Sequence, residues 1–231
     1  MPLKPAQGNM YDWVQFVHSH LGGQCPHRCG YCYVQRSRFG INVRYQGPPK
    51  IVKPELKCSY GAGKIIFVEH MSDLFAFQIP NEYKMDILTH CRKYPKNEYV
   101  IQSKNPLEAF KFISVFPIKF LFGTTIETNV SSLTTKVSYA PAPFYRYAGL
   151  KKFKQGGHRI FVSIEPIMSF DVNILAKWMI DLRPEFVSIG ADSKDYVLPE
   201  PSKEMIEDFI GLLNEANIKV KQKSNLERLL R

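Results

Sequence analysis

The chain has 231 residues, enough for one large domain or two small ones, and 45% are hydrophobic, which excludes global disorder. Lysine and arginine number 31 against 21 acidic residues, so the formal charge is +10, which suits either a solvated basic surface or one that attracts polyanions. The longest apolar runs, at Ile65 to Val68 and Phe120 to Phe122, are strand-sized and far short of the ~20 residues of a membrane span.

Residues 1–11 read as an irregular arm. Residues 13–21, "WVQFVHSHL", alternate apolar and polar and predict a strand ending at Gly22 and Gly23. A cysteine-rich loop follows, then a short helix within 31–38 and a basic, proline-containing connection over 39–62. From residue 64 a rhythm begins. Strands are predicted over 64–71, 98–104, 119–128, 159–167, 185–192 and 218–222. Helices are predicted over 80–94, 106–114, 143–155, 171–182 and 201–216, with Pro80 near one start and Gly156 at one stop. Short apolar strands alternating with amphipathic helices imply an α/β fold with a parallel sheet covered by helices. About six such units suit a complete or partial barrel. The expectation is one domain over 1–231 with a short C-terminal helix. Its active site would lie at the carboxyl ends of the strands. "GAGK" at 61–64 is no phosphate loop, because Cys58 stands where glycine is required and a strand follows; it reads as a turn.

"CPHRCGYC" places Cys25, Cys29 and Cys32 at C-x3-C-x2-C spacing. Five cysteines make an odd number for a disulfide framework, three are clustered, and no signal peptide precedes them, so a reducing cytoplasm is expected. A structural zinc site needs a fourth ligand, from His27, His20 or His18, and no second knuckle follows. A ferredoxin-like carrier needs a fourth related cysteine, whereas Cys58 and Cys91 stand in unrelated contexts and Cys91 suits a helix core. Three thiolates on a [4Fe–4S] cluster would leave one iron open for a ligand.

This motif, with aromatic Tyr31 before its last cysteine, resembles the signature of the radical S-adenosylmethionine (radical SAM) superfamily. The resemblance implies a partial parallel (β/α)6 barrel and a [4Fe–4S] cluster on Cys25, Cys29 and Cys32. It also implies SAM cleavage to a 5′-deoxyadenosyl radical and a reductant such as flavodoxin or ferredoxin. Gly30 would let the backbone turn closely around the cluster, and Tyr31 would pack over the cofactor. "IFVEHMSDLF", "VIQSKNP", "GTTIETN" and "FVSIEPI" are further similar to a phage and bacterial group related to spore photoproduct lyase. That likeness carries SAM contacts onto Ser72, Lys104 and Thr125, and the amino-group contact onto the backbone of Glu69, His70 and Met71. The usual Gly-Gly-Glu is absent, and Met71 replaces the lyase's hydrogen-donating cysteine, so another base modification in DNA or RNA is the better expectation.

Other residues keep two readings. Lys104 is a point charge for the SAM carboxylate or a solvated loop lysine. Glu127 and Glu165 bind SAM hydroxyls or substrate, or form structural ion pairs. Asp73 is a cap or a catalytic group, and Asp192 and Ser193 share that ambiguity. His18 and His20 support the cluster loop or are ordinary histidines. "FYRYAGLKKFKQGGHR" over 144–159 stacks bases and holds phosphates, or is an amphipathic helix with solvated lysines. With Arg36, Arg38, Arg44, Lys50, Lys53 and Lys57 it would give the barrel two basic segments, making nucleic acid the preferred substrate. The alternatives are a free small molecule or peptide, and a non-catalytic metal-binding module.

Overall fold

The computed structural model describes residues 3–7, 11–36, 43–194 and 197–231. In chain order the elements are β1 (Lys4–Pro5), β2 (Phe16–His18), β3 (Leu21–Gly22), α1 (Tyr33–Arg36), β4 (Lys50–Ile51), β5 (Ile65–Val68) and α2 (Asn81–Arg92). Then come β6 (Glu98–Gln102), α3 (Pro106–Phe110), β7 (Phe120–Thr125), α4 (Ser131–Thr134), α5 (Pro143–Gln155) and β8 (Ile160–Ile164). The chain finishes with α6 (Val172–Leu182), β9 (Val187–Ile189), α7 (Lys203–Glu215), β10 (Val220–Gln222) and a 3₁₀ turn, Ser224–Leu229.

One sheet runs β1-β2-β5-β6-β7-β8-β9-β10, parallel throughout except for the antiparallel pair β1 and β2. Period-two alternation gives each strand two apolar faces. Ile66, Tyr99, Phe122, Ile160, Val162 and Val187 join the helices in the larger core. Phe67, Val100, Leu121, Phe161 and Phe186 fill the opposite face together with Tyr11 and Val14. Tyr11 and Trp13 both touch Phe161, Tyr11 also reaches Phe67 and Trp13 reaches Phe186, so strands β5 through β9 curl around one aromatic plug. The result is a partial barrel whose floor is closed by residues 11–14. Gly123 makes room inside it, since a Cβ there would stand 2.2 Å from the Phe161 ring.

The helices start and stop where the local chemistry dictates. Asn105, Asp171 and Ser202 accept from the backbone amides of Glu108, Ile174 and Met205, capping α3, α6 and α7. Pro143 opens α5 and Gly156 ends it. Gly149 lets α5 lie against α3, where a Cβ would meet Leu107 N at 2.6 Å. Inside the barrel wall, Phe122 of β7 stacks on Phe153 of α5 at 3.9 Å.

Three expectations need correction. The strand over 13–21 is two pieces, because after His18 the chain leaves the sheet and Leu21 pairs with Ile51 of β4. The helix over 106–114 ends at Phe110 and continues only as a 3₁₀ turn, Ile113–Val115, ahead of Pro117. The arm carries β1 and, in Tyr11, the first residue of the floor plug, so it is not irregular throughout. The short helix within 31–38 is seen as α1; residues 37 and 38 lie outside the described residues. Among the described residues no helix is long and apolar enough to cross a membrane.

Candidate active site

The three clustered cysteines sit on the loop after β3, partly exposed and free of disulfides. Two backbone bonds staple this loop to residues 137–139: Gly30 N donates to Val137 O at 2.7 Å, and Tyr139 N donates to His27 O at 2.8 Å. Cys29 Sγ lies 3.1 Å from Ser138 Oγ. From the other side His27 Nε2 approaches Asp73 Oδ2 at 2.9 Å.

Asp73, just beyond β5, is the joint between the loop and the strand ends. It accepts from Phe75 N at 2.9 Å, Ser103 Oγ at 2.7 Å and Lys104 N at 2.7 Å. Burial alone would raise its carboxyl; the charge and hydrogen bond of His27, with the bonds from Ser103 and Lys104, outweigh burial and bring it to about 2. The structure therefore gives Asp73 more than a turn cap.

Glu127, beyond β7, is the second joint and is fully buried. Its Oε1 accepts from the Tyr31 hydroxyl and stands 3.1 Å from Lys104 Nζ. Its Oε2 takes Arg146 Nη1 at 2.5 Å. Burial would raise this carboxyl, but Arg146, Lys104 and the Tyr31 hydroxyl bring it to about 2. Lys104 Nζ also lies 5.5 Å from the Tyr31 ring centre. Arg146 comes from α5 and is fully buried; Nε donates to Pro141 O at 2.6 Å and Nη1 to Thr125 O at 3.1 Å. Its Nη2 has no hydrogen-bond partner among the described residues. Two cations against one carboxylate leave this corner with a surplus positive charge.

The remaining predicted positions divide. Thr125 Oγ1 accepts from Gln102 Nε2 at 2.9 Å, and Gln102 Oε1 accepts from Tyr11 OH at 3.0 Å, a polar chain just above the floor. Ser72 is half-buried in the turn after β5. The Glu69 side chain turns away from the barrel mouth, accepting from the amides of His20 at 2.6 Å and Leu21 at 3.2 Å. His70 Nδ1 lies 3.0 Å from Ser19 Oγ, its carbonyl accepts from Tyr33 OH at 2.8 Å, and Met71 N donates to Ser19 Oγ at 3.4 Å. Glu165 is apart, accepting from Ser188 Oγ at 2.6 Å with Lys223 Nζ 3.8 Å away. Asp192 caps its own turn, accepting from Lys194 N at 3.0 Å. His18 and His20 pack ring to ring at 4.5 Å and bond toward Glu55, Glu69 and His90 rather than to the cysteines.

The basic segments are rearranged. Lys151 pairs with Asp181 at 2.8 Å and Lys154 donates to Arg183 O at 3.2 Å, both where α5 and α6 end, away from the cysteine loop. Arg146 of the same segment is buried. Arg44 turns inward to Glu55 at 2.6 Å, while Lys50, Lys53 and Lys57 are exposed. The side chain of Arg36 and all of Arg38 lie outside the described residues. On and beside the loop Arg28, Lys136 and Tyr139 are exposed, as are Phe144 and Tyr145 on the first turn of α5.

No family model and no curated protein matches the chain. Solved structures do. A mutant of spore photoproduct lyase matches with a TM-score of 0.65 and 9% identity, over 94% of this chain and 78% of its own. Another, with bound AdoMet and dinucleoside spore photoproduct, matches at TM-score 0.62 and 10% identity, over 95% and 80%. SuiB of Streptococcus suis bound to precursor peptide SuiA matches at TM-score 0.62 and 10% identity; the match covers 90% of this chain and 48% of SuiB. The chain shares the fold of spore photoproduct lyase and SuiB.

Within this fold the three thiols have a donor set that suits a cluster. Among the described residues no three His, Cys, Asp or Glu side chains already converge on one metal ion. A four-iron cluster does not ask for that, since each thiolate takes a different iron. Burial and the Asp73 charge push the Cys25 thiol up to about 12, and burial raises Cys32 also; a cationic centre supplies the charge that turns such thiols into ligands. A Cβ on Gly30 would meet Val137 O at 3.7 Å, an ordinary contact, so the protein itself does not require glycine there. Soft thiol donors on a stapled, part-exposed loop fit an iron–sulfur cluster.

Proposed function

We propose that this chain is a radical SAM enzyme acting on a nucleobase in DNA or RNA. The observation that carries the reading is the placement of Cys25, Cys29 and Cys32 beside the carboxyl ends of a curled parallel sheet. Cys25, Cys29 and Cys32 would hold a [4Fe–4S] cluster, which supplies the electron for SAM cleavage to a hydrogen-abstracting 5′-deoxyadenosyl radical.

This chain's own residues bind and orient. The surplus positive charge around Glu127 suits the SAM carboxylate, and Lys104, the less buried of the two cations, is its contact. Glu127 and Arg146 hold Lys104 and Tyr31 in place, and Tyr31 packs over the cofactor. Ser72, Thr125 and the backbone of residues 69–71 complete the site, with Glu165 toward the substrate side. Asp73 locks the cysteine loop to the ends of β5 and β6 through His27, Ser103 and Lys104 N.

For the substrate, support comes from the +10 charge, from the dinucleoside seen in a lyase of the same fold, and from the exposed rings of Tyr139, Phe144 and Tyr145. A base reached from a barrel mouth must leave its stack, and aromatic faces repay part of that cost. A peptide is the second reading, favoured by the precursor peptide bound to SuiB.

The test is anaerobic reconstitution with iron and sulfide, then reduction in the presence of SAM. Formation of 5′-deoxyadenosine, stimulated by single-stranded oligonucleotides, is expected. Reconstituted protein that holds four irons yet forms none would overturn the enzyme assignment. Stimulation by peptides alone would overturn the nucleobase.

A further inference from the structure

Behind the turn after β5 lies a buried chain of polar groups that the site above does not use. His20 Nδ1 is 2.7 Å from Glu69 Oε1, His20 Nε2 is 2.8 Å from His90 Nδ1, and His90 Nε2 is 2.9 Å from Cys58 O. Tyr60 OH lies 3.0 Å from His20 Nε2. All four of these side chains are almost completely buried. The carboxylate and the carbonyl at the two ends only accept. Two neutral imidazoles bring two ring protons to these bonds, and the Tyr60 hydroxyl brings another donor to His20 Nε2.

The other rings around the relay are neutral. From β2, His18 is held near 3 by burial and by the neighbouring rings, so it stays neutral; Arg44 and Glu55 pair with each other beside it. From α2, burial and the His20 charge bring His90 to about 4, so His90 is a neutral ring donating to Cys58 O; Cys91 is a buried thiol. At the end of β5, His70 is likewise lowered, to about 4, chiefly by burial. Glu69 accepts two backbone amides. His20 bridges the two ends, its Nδ1 toward the Glu69 carboxylate and its Nε2 toward His90.

Glu69 itself has a left-handed backbone, φ 60°, which a non-glycine residue adopts at a cost. We propose that the Glu69–His20–His90 relay is a hydrogen-bonded clamp that fixes this strained turn and so positions the backbone of residues 69–72. The clamp explains why a glutamate can stand at a position whose conformation suits glycine: its carboxylate is tied by three bonds to His20 and Leu21, at the start of β3. Its effect on cofactor binding rests on the reading of residues 69–71 as a SAM contact. Glu69, His20 and His90 are positioning residues.

Ring nitrogens of full-length protein labelled with 15N-histidine test the clamp directly. The buried, hydrogen-bonded ring N–H protons of His20 and His90 should exchange slowly with solvent, and Glu69→Ala should make that of His20 exchange fast. Fast exchange of both ring protons in wild-type protein would overturn the proposal. In cluster-loaded protein, His90→Leu should weaken SAM binding roughly tenfold at unchanged iron content, while His90→Gln, which keeps an acceptor for His20, should retain wild-type affinity. SAM affinity unchanged in His90→Leu would refute the positioning role. Protected His20 and His90 ring protons in a wild-type protein that never binds SAM would support the clamp and sink the cofactor reading instead.

Discussion

Arg146→Met isolates the buried charge that organises the site. The substitution removes the 2.5 Å contact to Glu127 and the donors to Pro141 O and Thr125 O, leaving Glu127 with Tyr31 and with Lys104 at 3.1 Å. Breaking a buried pair from one side costs about 3–5 kcal/mol; because Lys104 remains, the lower end applies. That is a large share of the ~5–15 kcal/mol that holds a domain together. At about 2–4 °C per kcal/mol for a chain of this length, the melting temperature should fall by about 6–12 °C. Urea unfolding should show a lower midpoint at the same slope. The double variant Arg146→Met with Glu127→Met has no stranded carboxylate and should recover most of the loss, giving a coupling of about 1–3 kcal/mol in a double-mutant cycle. Melting of Arg146→Met within about 2 °C of wild type, or a double variant no better than the single one, would refute the reasoning.

Gly123→Ala places a methyl 2.2 Å from the Phe161 ring in a packed interior, so a loss of about 1–3 kcal/mol is expected in chemical denaturation. The Glu127 carboxyl is depressed in the folded state, to about 2, so its pairing stabilises fully above the unfolded value of about 4.3 and is lost as pH falls toward 2; Glu127→Gln should flatten stability across that window. Alanine at Cys25, Cys29 or Cys32 should abolish iron loading and its visible absorption, whereas Cys91→Ala, in the helix core, should load normally but melt lower. Lys104→Ala should weaken SAM roughly ten- to a hundredfold in calorimetry with iron content intact.

The βα rhythm was legible because periodicity and stop signals are local: α5 begins at Pro143 and ends at Gly156 as its sequence announces. The alternation over 13–21 misled for the same reason. It runs straight through Ser19 and His20, where a change of pairing partner, from β5 to β4, is decided by distant residues. The cysteine motif was legible as spacing, but the groups that hold it, Ser138, Asp73 and Arg146, are far away in sequence. Arg146 did leave a signal. It shares the buried face of α5 with Gly149, Leu150 and Phe153, at helical spacing, and a cation on an apolar stripe marks a buried partner rather than a phosphate-binding patch. His90 in α2 could have been read the same way, beside Ile87 and Cys91.

The staple between the cysteine loop and residues 137–139 sets a schedule for synthesis. Ser138 contacts the carbonyl of His27 across 111 positions of the chain, so the loop leaves the ribosome on the order of 5–20 s before the segment that seats it. During that interval three thiols are presented without their backing, while the barrel that gives them an address is incomplete. Any machinery that delivers iron to these thiols would therefore meet either a nascent, unseated loop or a finished domain, and a chain stalled before Val137 is a thiol-bearing fragment with no cradle.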